Sequence, residues 1–204
     1  MRHRLINITE PAIEPVTVAE AKLHAHIDHS VQDAIIESWI KSARIMAEGY
    51  QRQVYISRIM EMSFDSFPHS IFDIPYAPLI QVISIKYFDL NNTEYTLYYD
   101  GTNPVTTTEE GGDEPSTNSD FIIDINGNPG RISLAYNTIW PVVTLRPIDA
   151  VRVRFAAGYG LETSDIPENV RDAIMLYCTY RNENRAGEVG ECPQQFFNLL
   201  RFDR

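Results

Sequence analysis

The densest group of potential ligands in the chain is His24-Ala25-His26-Ile27-Asp28-His29, which offers imidazoles and a carboxylate of the types that hold zinc. On a helix, residues two apart face roughly 200° away from each other, so His24 and His26 reach one ion together only where the helix has already ended. His3 and His69 lie far off in sequence. The cluster reads as solvated polar residues at a helix end, and no metal site is expected there. Nucleophilic catalysis fares no better. The chain has no Gly-x-Ser-x-Gly elbow, and neither Cys178 nor Cys192 has a histidine after it to serve as base. Cys178 falls on an apolar helix face, where an inert thiol is usual, and Cys192 precedes Pro193 as an exposed bystander. Gly158-Tyr159-Gly160 lacks both the later glycine of a dinucleotide fingerprint and a following lysine, so it ends a strand rather than cradling a phosphate. Glu109-Glu110 and Asp113-Glu114 sit in a polar stretch that cannot hold an acid and a base in position. Tyr87, Tyr95, Tyr98 and Tyr99 could stack on bases, but no Lys or Arg pattern accompanies them, and they suit a packed sheet better. These patterns predict no catalytic residue, no cofactor and no metal, and the chain is not read as an enzyme.

The elements that would position any site begin with Thr17 and Glu20, spaced as a capping box at the start of a helix from about Val18 to Ile27. Asp28-His29-Ser30 breaks it, and Ser30 with Asp33 signals a second start. Ile36, Ile40, Ala43, Ala47 and Tyr50 then form a helical stripe that Ile35, Trp39 and Met46 widen, so the first sixty residues read as helical. Near Tyr55 the period drops to two, with Met60, Met62 and Phe64 alternating with Glu61, Ser63 and Asp65. Leu79 to Phe88 and Tyr95 to Tyr99 flank turn residues, Phe121 to Ile125 faces Arg131 to Leu134 across another turn, and Val151 to Phe155 alternates as a further strand. The segment 101–120 reads as a mobile acidic loop. After Asp165 and Glu168, a capping pair, the stripe Val170, Ile174, Tyr177, Cys178 returns to the helical period until about Ala186-Gly187, and Pro193 opens a last short helix. The expected fold class is α+β in one domain over 1–204: mainly an α-helical bundle from 18–51 and 165–204, carrying a β-rich insertion over 55–158.

The chain has 204 residues, with 17 Lys plus Arg against 28 Asp plus Glu, a net charge of −11. So acidic a surface repels phosphate and argues against a protein that grips nucleic acid or an anionic membrane. Two cysteines are too few for a disulfide framework, and there is neither an apolar leader nor an apolar run of about 20 residues. A soluble, non-exported protein of the reducing cytosol, with no membrane partner, is the expectation.

Several residue runs go further than composition. Glu14-Pro15-Val16-Thr17-Val18-Ala19-Glu20-Ala21-Lys22-Leu23, the Ile27-Asp28-His29 break, and the run from Ala34-Ile35-Ile36-Glu37 to Glu48-Gly49-Tyr50 resemble the opening of the head-tail connector (adaptor) proteins of long-tailed bacteriophages and prophages. Gly130-Arg131-Ile132, Trp140-Pro141, Val151 to Gly160 and Ile166 to Arg185 resemble the family's closing strand and helix. The resemblance implies a homo-oligomeric ring, a dodecamer in the particle, docked beneath the portal and supporting head-closure and tail-terminator proteins. DNA would pass through it without specific binding. The location implied is the head-tail interface of the virion, after a stage in the host cytoplasm. A monomeric acidic protein-binding module and a small metal-dependent hydrolase are the competing classes.

Phe196, Phe197, Leu199, Leu200 and Phe202 crowd the end of the chain. Such a cluster serves either as core or as a partner surface. Because the resemblance implies that the C-terminal region docks the portal, Phe196, Phe197 and Leu200 are the expected anchors, with Arg201 and Arg204 meeting acidic groups at the rim.

Overall fold

A computed structural model describes residues 3–97, 120–184 and 192–201. Its strands are β1 (His3–Asn7), β2 (Arg58–Phe64), β3 (Ile71–Asp73), β4 (Leu79–Phe88), β5 (Glu94–Thr96), β6 (Phe121–Asp124), β7 (Arg131–Leu134) and β8 (Val151–Ala157). Its α-helices are α1 (Val18–His24), α2 (Asp33–Gln51), α3 (Glu168–Glu183) and α4 (Gln194–Leu199). The acidic segment 101–120 lies outside the described residues except for Asp120, and so does Arg204.

The strands form two antiparallel sheets, β1-β2-β8-β4-β5 and β3-β7-β6. The protein is therefore a mixed α and β fold, and the expectation of a mainly helical bundle is corrected. The error has a physical source. Strands of three to five residues, such as β1, β3 and β5, offer only one or two alternations, and their pairing is fixed by partners far away in sequence. β1 illustrates this, because it pairs with β2 through Leu5 opposite Met62, although the first sixty residues read as helical.

Contacts divide the chain into two compact units. The first comprises Met1–Glu10 and Arg58–Gly158. In its larger sheet Met60, Met62 and Phe64 of β2 share a buried face with Val151, Val153 and Phe155 of β8. The opposite face carries Glu61, which accepts a hydrogen bond from Arg154 at 3.2 Å and lies 3.8 Å from Arg152. β4 departs from strict alternation. Its register shifts between Leu79 and Gln81 and again between Val82 and Ser84, so Val82 and Ile85, three apart, both turn inward. In the smaller sheet Phe121, Ile123 and Ile132 are buried. The turn joining β6 to β7 is held by Asp124, whose carboxylate accepts from the amides of Asn126 and Gly127 and from Arg131 at 2.6 Å. Gly130 is required beyond it, since a Cβ there would stand 2.7 Å from the Leu79 side chain.

The second unit comprises Pro11–Ser57 and Tyr159–Arg204. Ile36, Ile40, Ala43 and Ala47 of α2 share one core with Ala21 of α1, Val170, Ala173 and Ile174 of α3, and Phe196 of α4. The Thr17 and Glu20 box is formed in both directions, at 3.2 Å and 2.8 Å. α1 stops at His24, three residues before Ile27, through a Schellman closure: the His26 amide donates to the Leu23 carbonyl and the Ile27 amide to that of Lys22. His26 takes the left-handed position at φ 52°, which histidine tolerates better than a branched residue would. Asp165 does not cap α3. It closes the preceding turn instead, accepting from the Glu162 amide at 3.0 Å.

Candidate docking surfaces

The histidines come first, since they made the sharpest chemical pattern. Among the described residues no three His, Cys, Asp or Glu side chains converge as a metal site. His24 Nδ1 lies 2.8 Å from the Thr179 hydroxyl, which ties the end of α1 to α3. Cys178 is buried, and burial pushes its thiol up to about 12, while that of Cys192 is pushed up to about 11, so neither supplies a thiolate near neutrality. The residues that could do chemistry are dispersed. What the structure offers is surfaces.

At the C-terminus, Phe196 and Leu200 are fully buried within the helical unit. Phe196 packs on Tyr177 at 5.8 Å between ring centres, and Gln51 Nε2 donates to the Leu200 carbonyl at 2.7 Å. Gln51 also accepts a short hydrogen bond from the buried Tyr55 hydroxyl. Asn169 Nδ2 donates to the Leu199 carbonyl at 3.1 Å. Six-residue α4 thus packs into the core of its own unit, with the expected anchors Phe196 and Leu200 among the buried residues. Phe197 is half-buried against Tyr50, and Arg201 is exposed with its Nε 3.3 Å from the Tyr50 hydroxyl. Arg204 lies outside the described residues.

A second surface escaped the sequence reading. Between β7 and β8 the chain runs without regular structure, and Tyr136, Ile139 and Val142 stand 88%, 78% and 95% exposed. Ordinarily an apolar loop would fold its side chains under itself. This one is pinned at points that leave the apolar tips outside. Thr138 Oγ1 donates to the Ala135 carbonyl at 2.6 Å, and Trp140 stacks on Phe67 with ring centres 5.1 Å apart. Farther along, Leu145 bridges to Asp89, and the Arg146 guanidinium sits 3.9 Å above the Phe88 ring. The available signal was Trp140-Pro141-Val142-Val143, an apolar run lacking either period.

A third feature is a groove of about 550 Å³ beside α1, lined by Val18, Lys22, Leu23, Ile27 and Asp28 among others. Lys22 Nζ bonds Asp33 at 2.8 Å on its border. Leu23 is 79% exposed and Val31 89%, and Ile35, which was read as part of the inward stripe, is also exposed.

No protein-family model matches the chain, and no curated protein matches it in sequence. Solved structures do match in fold. A chain in the neck of an empty gene transfer agent (GTA) particle, computed with C6 symmetry, superposes with a TM-score of 0.74 at 20% identity, covering 98% of this chain and 95% of that one. A chain in the virion of the native GTA particle gives 0.74 at 18% identity, covering 98% and 94%. A chain in the native GTA neck, computed with C12 symmetry, gives 0.69 at 18%, with the same coverage as the virion chain. This chain therefore has the fold of a protein present in particle necks, along nearly its whole length. At this identity the likeness defines a class of fold.

Proposed function

We propose that this protein is a structural, non-enzymatic component of the neck of a phage or phage-like particle. One observation carries the reading: the fold match extends over 98% of the chain and 95% of a GTA neck chain, so both units take part in it. The residue runs that resemble connector proteins point the same way. In this role copies form a cyclic ring, twelve in the particle, seated beneath a portal and offering a platform to head-closure and tail-terminator proteins. Cyclic symmetry of the matched necks, C6 and C12, supports the ring. The net charge of −11 suits a conduit that DNA crosses without being held, because an acidic wall repels phosphate within about 8 Å, the Debye length at physiological salt.

Portal docking is assigned to the half-buried Phe197 and the exposed Arg201, with Arg204 included from the sequence alone. Phe196 and Leu200 support the segment from beneath. Co-sedimentation with purified portal tests this. Arg201→Glu is expected to weaken it while leaving the melting temperature unchanged. Full retention of binding by that variant would remove the C-terminus from the docking face.

A further inference from the structure

A ring larger than a dimer needs two different surfaces on each copy, one to give and one to receive. We infer that the loop around Ile139 and Val142 of one copy seats in the groove beside α1 of the next copy, against Val18, Leu23 and Ile27. This inference rests on the ring reading above and names the contact that would build it.

Three observations support the pairing. The first is charge. The chain carries −11, so copies repel wherever their surfaces are charged, yet the run 135–145 holds no Asp, Glu, Lys or Arg. A second copy can approach such a surface without that penalty, whereas a cationic partner would gain nothing from it. The second is rigidity. The Trp140 to Phe67 stack and the Leu145 to Asp89 bridge flank Val142, so the exposed tips are held outward and little order remains to be lost on contact. The third is size and lining. The groove of about 550 Å³ is large enough for two branched aliphatic side chains; its lining is mixed, with Val18, Leu23 and Ile27 as the aliphatic part and Lys22, already paired with Asp33, and Asp28 among the polar part.

Sedimentation velocity over a concentration series, alone and with purified portal, tests the contact with Val142→Asp and Leu23→Asp. Both side chains are exposed, so each variant should keep the wild-type melting temperature. Each is expected to raise the concentration for association at least about tenfold, since a carboxylate would be buried in an apolar contact. Mixing the two variants is the sharper arm: one retains the groove and the other the loop, so equimolar mixtures should form pairs that do not grow. Wild type that stays single in both conditions contradicts the ring reading and the contact with it. Wild type that associates while either variant associates equally well overturns the contact alone and leaves the ring standing.

Discussion

Arg44 occupies a place in α2 where its side chain is only 3% exposed. A guanidinium there is tolerated because Glu14 accepts from it at 2.7 Å and 3.2 Å and Glu48 at 3.1 Å. Glu48 in turn accepts from the Tyr55 amide at 3.2 Å, so the ion network also fixes the chain where it leaves α2. Arg44→Ala would take away the buried cation that Glu14 and Glu48 share, and a loss of about 3 to 5 kcal/mol is expected in urea unfolding. A loss under about 1 kcal/mol would mean that water reaches the site. The Glu14 partner was not legible, since it lies 30 positions from Arg44, and the stripe counted only apolar residues and so passed over Glu48 one turn away. The Thr17 and Glu20 box was legible because both halves fall within one helical turn. There the Thr17 amide foremost, then its hydroxyl and Arg171, hold the Glu20 carboxyl below its ordinary 4.5. A lowered folded value stabilises the fold above 4.5 and loses that contribution as pH falls through the folded value. The stability gap between wild type and Glu20→Gln, modest at neutral pH for so exposed a group, should therefore close as the solution is acidified below 4.5.

At the scale of elements, legibility followed length. α2, nineteen residues long, could be read from its stripe, yet its inward arc is rotated from the expected one, because Ile35 faces out while Arg44 and Glu48 face in. β8 could be read from five alternating residues. β4 could be read as a strand, but its bulges could not, since they depend on pairing with β8. α4 shows the limit most plainly. Its aromatic crowding was visible, but core and docking roles share one composition, and only the partners in α2 and α3 separate them. Burial of Phe196 predicts that Phe196→Ala costs about 3 to 5 kcal/mol. Truncation after Cys192 should unfold the helical unit or lower its melting temperature by many degrees. An unchanged melting temperature would return the segment to the surface.

For the whole molecule, the match to neck chains over 98% of the chain shows the fold, and the structural role proposed above builds on it. The loop at Val142 is the surface that neither periodicity nor motif could find, because apolar residues held outward look in sequence like any buried run. Its exposure suits the contact between copies proposed above. Electron microscopy of the concentrated protein, alone and mixed with purified portal, tests that claim most directly. Closed rings of one cyclic symmetry, stacked on portal rings where these are present, are the predicted result. Single subunits in both samples, with bare portal rings beside them, would contradict it.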